Sequence, residues 1–273
     1  MPVSLSNQRV PLSVSSIQQS VKPGALQLSV KDQVANALFT RPERGNSLSV
    51  AAMREFRQLL DSVACDESAN VLVLRAQGRH FCAGADLDWV KALVTGDAGT
   101  WAEGIECLFD LLLALHEFPK PVIAAVQGSV IGGGVSVLCL CDEVIALDEV
   151  SWRLPEVNLG MVPTAVLPAL LQRVPRAALP RLLFEDKSWT SAQAVAWGLA
   201  SKSIKSNDFE SVLAERIAQW LSVPSAVFAQ TQKLQRQLDC NDFLNQIEIA
   251  RLHALQTLNS IDARGRINAL IKR

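Results

Sequence analysis

The sequence predicts an α/β protein in which helices cover a sheet. Short apolar segments alternate along the chain with segments of helical period, which is typical of strand–helix–strand units. Apolar residue types make up 49% of the 273 residues, and charged types make up 19%. A chain of this length and composition can bury a large hydrophobic core, so most of it should be folded.

The first elements are a tail, a hairpin and a helix. Residues 1–22 are rich in Ser, Gln and Val without a stable period, so we expect a flexible extension that ends at the Lys22-Pro23-Gly24 turn. Alternating runs at 26–30 and 34–39 predict a β-hairpin. Ser49 should then cap a helix. The apolar residues at helical spacing in that helix are Met53, Phe56, Leu59, Leu60 and Val63.

The middle of the chain repeats the alternation, and the last part is helical in pattern. The predicted elements are strands at 71–75, 122–127 and 143–147 and helices at about 100–117 and 135–141. From about residue 168 onward the pattern is almost entirely helical, interrupted by Pro and Gly. We therefore divide the chain into a core domain at 23–200 and a C-terminal helical region at 201–273.

Composition narrows the class of protein. Twenty-six basic residues against 27 acidic ones leave a net charge of −1, which gives no reason to expect a nucleic-acid partner or binding to an anionic membrane. The six Cys form no C-x-x-C pair and the three His lack a second ligand at metal spacing, so we predict reduced thiols and no metal site. No signal peptide or membrane span is recognisable, and a cytoplasmic protein is expected.

Two glycine-containing segments each follow a predicted strand. They are His80-Phe-Cys-Ala-Gly-Ala-Asp-Leu87 and Gln127-Gly-Ser-Val-Ile-Gly-Gly-Gly134. Neither matches a nucleotide phosphate-binding motif. Loops of small residues let main-chain N–H groups approach a carbonyl closely, which is what stabilisation of an oxyanion requires. Two ordinary tight turns are the alternative.

These segments belong to a longer series of motifs in a fixed order. The series begins with Arg41-Pro and Asn46 and includes Pro119-Lys-Pro-Val-Ile-Ala-Ala-Val-Gln-Gly, Cys141-Asp142 and Leu154-Pro-Glu-Val-Asn-Leu-Gly160. In this order the motifs resemble the enoyl-CoA hydratase/isomerase (crotonase) superfamily over about residues 25 to 260. The resemblance implies a crotonase-type ββα superhelix core with a C-terminal helical trimerisation region, and homotrimers or hexamers.

The resemblance also implies an oxyanion hole for a thioester carbonyl. By motif position its donors are the main-chain amides of Ala85 and Gly133, the latter being the middle residue of the glycine triplet. Two donors aimed at a developing enolate oxygen are a strong catalytic device, since loss of one typically costs roughly 10²–10³ in rate.

The sequence departs from the usual hydratases of this family at one catalytic position. Those enzymes use two glutamates, and here only the second is present, as Glu156. Ser136 occupies the place of the first. We expect Glu156 to be the general acid and base, with a pKa raised by its apolar neighbours. Ser136 either donates to substrate or to a water, or only packs at the start of a buried helix.

The sequence resembles one group within the superfamily more closely. Asp86-Leu-Asp-Trp-Val90 and Asn158-Leu-Gly-Met-Val-Pro-Thr-Ala-Val-Leu-Pro168 look like bacterial methylglutaconyl-CoA hydratases and like the dehydratases of polyketide β-branching. Both interconvert 3-hydroxy-3-methylglutaryl and 3-methylglutaconyl thioesters. The resemblance thus implies a hydro-lyase that needs no cofactor beyond its acyl-CoA or acyl-carrier-protein substrate.

Further site residues follow from the same resemblance. The CoA portion would lie along Arg41, Asn46, Cys82, Ala83, Asp86 and, near the phosphates, Lys233. A distal carboxylate of the acyl group would need a cation or donor, for which Lys91, Arg153 and His80 are the candidates. Each could equally be a solvated surface group. Asp142, Trp89 and Trp152 are interpreted as structural.

Several alternatives stay open from the sequence. An isomerase or a decarboxylase could use the same oxyanion hole, because it serves any enolate chemistry. A degenerate member that binds acyl thioesters without turnover is the non-enzymatic alternative. The sequence also leaves open whether CoA or a carrier protein delivers the acyl group.

Overall fold

The fold is built from repeated strand–strand–helix units. The computed structural model describes residues 24–185, 187–239 and 242–272, so the predicted extension at 1–22 lies outside the described residues. The first unit consists of β1 (Leu26–Lys31), β2 (Val34–Phe39) and α1 (Val50–Cys65). The predicted hairpin is confirmed, because β1 and β2 pair in antiparallel register across a left-handed turn at Asp32 and Gln33.

Helix α1 begins and packs as the sequence predicts. The Ser49 hydroxyl accepts a hydrogen bond from the N–H of Ala52, which satisfies one of the free donors at the helix start. All five apolar positions of the predicted helical stripe are buried. The unit therefore closes against the large sheet with its apolar face inward.

The next three units follow the same order. They comprise β3 (Val71–Ala76), β4 (His80–Cys82), α2 (Leu87–Thr95) and α3 (Ala98–His116); β5 (Val122–Val126), β6 (Ser129–Ile131) and α4 (Gly133–Cys139); and β7 (Glu143–Leu147), β8 (Ser151–Arg153) and α5 (Val166–Arg173). The remaining elements are α6 (Leu179–Phe184), β9 (Trp189–Thr190), α7 (Ser191–Ala196), β10 (Lys202–Ile204), α8 (Phe209–Leu221), α9 (Ser225–Leu238), α10 (Phe243–Gln256) and α11 (Ile261–Ile271).

The strands form two sheets. The larger has the order β1-β2-β3-β5-β7-β10, and all neighbours after the first hairpin are parallel. The smaller has the order β4-β6-β8-β9, with β4, β6 and β8 parallel. The first strands of the last three units therefore extend the sheet that the β1–β2 hairpin begins, and the second strands of the same units form the other sheet together with β9.

The structure differs from the sequence prediction in three places. Helix α2 was not predicted, although Asp86 caps its start and Gly96 ends it in the left-handed conformation. The strands of the smaller sheet were not predicted, because two or three residues are too few to show a period. The predicted helical region at 201–273 begins with β10, which joins the large sheet beside β7.

Two residues interpreted as structural are held inside the fold. The Asp142 carboxylate accepts hydrogen bonds from the Val122 N–H at 2.8 Å and from the Gln232 amide at 2.7 Å, which ties β5 to α9. Trp152 is fully buried and its indole N–H faces the Ser191 hydroxyl at 3.3 Å. Neither residue has a part in the cavity described below.

Two further features of the described residues are the length and hydropathy of the helices and the state of the cysteines. None of the helices in the described ranges is both long enough and apolar enough to cross a membrane. The five cysteines within those ranges are all free, and Cys82, Cys139 and Cys141 are buried. Burial raises the pKa of the Cys82 thiol to about 11, so it stays protonated and apolar in character.

Candidate active site

The first loop of the site is held in place by the loop that precedes α1. The Leu48 N–H donates to the carbonyl of Gly84 at 2.8 Å, and the Asp86 N–H donates to the carbonyl of Leu48 at 3.2 Å. These bonds form a parallel bridge between Leu48 and Ala85 that does not use the N–H of Ala85. Gly84 adopts a left-handed φ of +86°, which glycine allows at little cost. The amide of Ala85 thus stays available beside the cavity.

The second loop ends at the start of α4. Gly132 has a φ of +53°, and its N–H donates to the carbonyl of Arg153 at 2.9 Å. Gly133 is the first residue of α4, so its own N–H has no acceptor within the helix. The positive end of the helix dipole lies at the same place.

The two loops meet closely. A Cβ atom added to Gly84 would stand 2.9 Å from the carbonyl oxygen of Ile131 and 3.7 Å from the amide nitrogen of Gly133. A side chain at Gly84 would therefore push the loops apart. Ala85 and Gly133 both line the same cavity, as the oxyanion-hole prediction requires.

Glu156 lies beside this pair of loops. It follows Pro155, three residues after the end of β8, and opens a short 3₁₀ turn at Val157–Leu159. Its Oε1 atom would be 2.7 Å from a Cβ atom at Gly132, so the carboxyl group rests against the glycine triplet. Oε2 is buried and has no hydrogen-bond partner among the described residues. Burial raises the pKa of Glu156 to about 7.

A largely apolar cavity of about 390 Å³ connects these groups. Of the described residues that line it, only Arg153 and Glu156 have ionisable side chains. Besides these two and the loop residues Gly84, Ala85, Gly132 and Gly133, the lining includes Leu48, Ala83, Leu87, Trp89, Val90, Trp101, Ile105, Leu108, Ile131, Met161, Val162, Val166, Thr257 and Leu270. Such surroundings strengthen electrostatic interactions made inside the cavity.

Ser136 does not line the cavity as the structure describes it. The side chain is fully buried on α4, and its hydroxyl has no hydrogen-bond partner among the described residues. Its predicted role as a donor to substrate or to a water stays a prediction.

The residues predicted to contact CoA divide into two groups. Ala83 lines the cavity, and its N–H donates to the carbonyl of Gly45. Asn46 has a left-handed φ of +50° and uses its side chain inside the protein. It accepts from the Arg41 N–H at 2.9 Å and donates to the carbonyls of Gln77 and His80, both at 2.8 Å. The structure thus gives the Asn46 side chain a role in holding the loops together.

Asp86 and its basic neighbours form an internal network. Asp86 caps α2, accepts from the Ser47 hydroxyl at 2.6 Å and pairs with Arg44 at 2.8 Å. Arg41 lies 3.6 Å from the same carboxylate and donates to the Ser49 hydroxyl. Hydrogen bonds from Ser47, from the α2 backbone and from Arg44 hold the pKa of Asp86 below its usual range despite its burial. Cys82 is buried on β4 and does not face the cavity.

Lys233 lies on α9, outside the described lining of the cavity. Lys233 is exposed on α9, and its neighbour Gln232 bonds Asp142, at the ends of the large sheet where β5 and β7 begin. The predicted contact of Lys233 with the CoA phosphates stays a prediction.

One of the three candidates for a distal carboxylate reaches the cavity. Arg153 lines it, at the end of β8. Lys91 is exposed on α2 and pairs with Asp88 at 2.8 Å. The Nδ1 atom of His80 is 2.5 Å from the Ser129 hydroxyl, and burial and Arg79 lower its pKa.

Much of the apolar wall of the cavity is not evident from the sequence. Trp89 lines the cavity although its interpretation from the sequence is structural, and Trp101, Ile105 and Leu108 line it as well. The last three share one face of α3 at helical spacing. That spacing is also typical of ordinary core residues, so it gave no signal of a site. Thr257 and Leu270 close the cavity from the C-terminal part of the chain.

The geometry defines a class of protein. The fold consists of two sheets built from repeated strand–strand–helix units. The site consists of two glycine loops and a buried carboxyl group beside them. Together they are of crotonase type.

Comparisons with known proteins support the same class. The enoyl-CoA hydratase/isomerase family matches residues 29–268. The chain is 32% identical to carnitinyl-CoA dehydratase of Proteus mirabilis over 211 residues, which covers 75% of this chain and 78% of that protein. It therefore belongs to the enoyl-CoA hydratase/isomerase family and is an enzyme of the hydro-lyase type.

Solved structures share the fold. An enoyl-CoA hydratase from Mycobacterium avium subsp. paratuberculosis aligns with a TM-score of 0.79 at 26% identity, covering 92% of this chain and 97% of that one. A Bacillus subtilis protein named as a polyketide biosynthesis enoyl-CoA hydratase aligns with a TM-score of 0.82 at 22% identity, covering 92% and 98%. The second likeness concerns the fold alone.

Proposed function

We propose that this enzyme adds water to the double bond of 2-enoyl thioesters, or removes it from 3-hydroxyacyl thioesters, with Glu156 as its one acid and base. The observation that carries the proposal is the buried carboxyl group of Glu156, placed against the glycine triplet in a cavity that Ala85 and Gly133 also line. Acyl-CoA thioesters are the substrate class of the family to which the chain belongs.

The proposed reaction uses the carboxyl group of Glu156 and the main-chain amides of Ala85 and Gly133. In hydration, the ionised Glu156 takes a proton from water while the water oxygen bonds to the β-carbon. The π electrons move to the thioester oxygen, where the amides of Ala85 and Gly133 stabilise the enolate. The enolate then collapses, and Glu156 returns the same proton to the α-carbon. Dehydration reverses these steps, and atoms and charge balance in both directions.

The buried hydroxyl of Ser136 has a secondary part in this proposal. It would bind a water near the start of α4, since it has no partner among the described residues. The family's usual first glutamate would occupy this position, so a single carboxyl group must serve both proton transfers here.

The pKa of Glu156 predicts how the rate depends on pH. Because both directions begin with the ionised carboxylate, kcat/KM should rise about tenfold per pH unit below pH 7 and level off above it. The measurement is kcat/KM for hydration of crotonyl-CoA between pH 5 and pH 9, in steps of roughly half a unit.

Asp142 supplies the control for this profile. Burial raises the pKa of this second carboxyl group to about 6, but it accepts a hydrogen bond from the first residue of β5 and does not line the cavity. Asp142→Asn should keep the midpoint near pH 7. A midpoint that moved with Asp142→Asn, or a flat wild-type profile, would contradict the role of Glu156.

The narrower proposal for the acyl group is 3-methylglutaconyl. Its distal carboxylate needs a cation, and Arg153 is the cation among the described residues that line the cavity. We expect Arg153→Gln to lower kcat/KM for 3-methylglutaconyl-CoA by about 10- to 100-fold, since a charge-assisted hydrogen bond contributes about 1.5–3 kcal/mol. Its effect on crotonyl-CoA, which has no such carboxylate, should be much smaller.

Loss of the enoyl absorbance on adding the wild-type enzyme tests the whole proposal. Hydration of 3-methylglutaconyl-CoA faster than of crotonyl-CoA supports the narrower form, and hydration of crotonyl-CoA alone supports only the general one. Migration of the double bond without hydration would identify an isomerase. Binding of both thioesters without turnover would identify a degenerate member.

The carrier and the assembly are part of the same proposal. We propose acyl-CoA as the carrier, with an acyl carrier protein as the alternative, and a homotrimer or hexamer as the assembly. Comparing kcat/KM for the same acyl group on CoA and on a carrier protein tests the first point. Light scattering of the purified enzyme tests the second.

A further inference from the structure

Two stacked indoles form one wall of the cavity. The ring centroids of Trp89 and Trp101 are 5.3 Å apart with an interplanar angle of 23°. Both side chains are only 6% exposed, and both line the cavity. Trp89 comes from the first turn of α2, three residues after Asp86, and Trp101 comes from the start of α3.

Hydrogen bonds fix both rings. The Trp89 indole N–H donates to the carbonyl of Trp101 at 3.3 Å, and the Trp101 indole N–H donates to the carbonyl of Ala254 at 3.0 Å. The polar edge of each indole is therefore used within the protein. What these rings contribute to the cavity is apolar surface.

A glycine makes room for the first ring. Gly104 is buried on α3, and a Cβ atom at this position would lie 1.9 Å from Nε1 of Trp89 and 2.1 Å from Cε2. Glycine is disfavoured inside a helix, so its presence there needs a packing reason. The close approach of the indole supplies that reason, since any side chain at Gly104 would displace Trp89.

The residues that line the cavity beside the two indoles are also apolar. Ile105 and Leu108 follow Trp101 on the cavity face of α3, and Met161 and Val166 line the cavity from the chain after Glu156. No ionisable side chain is present among the described lining residues of α2 and α3. A rigid wall of this kind can contact an apolar part of a ligand. Because it is closely packed, it does not move easily to admit a longer apolar group.

We propose that the Trp89–Trp101 pair, held by Gly104, sets the upper length of the acyl group that this enzyme accepts. The inference rests on the proposed function, because it concerns the acyl group of the same thioester. It makes the enzyme specific for short acyl groups, with Trp89 as the residue that determines the limit and Gly104 as a positioning residue behind it.

The test is a chain-length profile. The kcat/KM for hydration is measured for trans-2-enoyl-CoA substrates from crotonyl to decenoyl, for the wild type, Trp89→Ala and the milder Trp89→Leu. We expect the wild type to prefer crotonyl-CoA. Both variants should raise the ratio of decenoyl to crotonyl kcat/KM, by at least about tenfold for Trp89→Ala, since each methylene accommodated in an apolar pocket is worth roughly tenfold or more.

Substitution of Gly104 tests the role of the Trp89 indole independently. Gly104→Ala should displace the indole and lower kcat/KM for crotonyl-CoA about tenfold. This effect should disappear in the Trp89→Ala background, where the added methyl group has no ring to meet. Gly99→Ala is the matched control on the same helix, because its added Cβ would meet only the Asp97 side chain at an ordinary 3.5 Å.

Trp197 provides a second control. Trp197→Ala removes an indole that packs against Trp189 outside the cavity, and should leave the profile unchanged. Unchanged profiles in both Trp89 variants, or equal effects of Gly104→Ala with and without Trp89, would overturn the inference. Absence of hydration by the wild type on every substrate would instead refute the proposed function.

Discussion

Glu156→Gln should reduce kcat/KM for hydration by about 10³-fold or more, which is the largest effect we expect in this enzyme. A positioned acid or base typically contributes 10²–10⁴-fold, and here one carboxyl group performs both proton transfers. The glutamine amide has nearly the same shape but cannot take a proton from water. Steady-state kinetics on crotonyl-CoA measures the loss, and the residual rate should no longer change near pH 7.

Thioester binding is the control for this variant. Because glutamine has nearly the same shape and keeps one oxygen acceptor, the substitution should leave the Kd for a saturated acyl-CoA within a few-fold of the wild type. A variant with near-normal turnover would exclude Glu156 as the acid and base. A variant that no longer bound the ligand would instead point to a loss of the cavity.

Gly84→Ala should lower kcat/KM by roughly 10²–10³-fold, because it should separate the two amides that form the oxyanion hole. The added Cβ would lie 2.9 Å from the carbonyl oxygen of Ile131, which is main chain and cannot rotate away. The loop that carries Ala85 must then move relative to Gly133. The loss should appear mainly in kcat, since the enolate needs the two donors more than the ground-state carbonyl does.

The matched control is another glycine of the same conformation. Gly198 has a φ of +81°, close to the +86° of Gly84, but an added Cβ there would come no closer than 3.4 Å to its nearest neighbour, the carbonyl oxygen of Arg173. Gly198→Ala thus carries a similar backbone strain without touching the site. Equal losses in both variants would mean that strain alone, and not the position of the amides, explains the result.

The sequence predicted the chemical centre of the site better than its surroundings. Ala85, Gly133 and Glu156 were identified by their positions in the motifs that resemble the crotonase superfamily, and the structure brings all three to one cavity. Asn46 and Asp86 have the same kind of motif position. Whether such a polar side chain binds a ligand or its own loops depends on atoms 34 and 39 residues away, so the sequence could not decide it.

The limits of the fold prediction have a similar origin. Strands β3, β5 and β7 are continuous apolar runs and were predicted, with boundaries that differ by one residue for β3 and β5. Strands such as β4 and β6 contain only three residues, and their pairing is decided by the neighbouring unit instead of by local preference. The wall formed by Trp89 and Trp101 requires the packing of α2 on α3, which no local pattern reveals.

The support that Asn46 gives to the site has a consequence for thermal behaviour. Its amide joins the loop of the first unit to the carbonyls of Gln77 and His80, and the main chain at Leu48 is bonded to both Gly84 and Asp86. The catalytic amide therefore depends on two units at once. Melting of the first unit would remove the enolate site with it, so we expect heat inactivation of this enzyme to coincide with unfolding of that unit and not with early fraying of a loop.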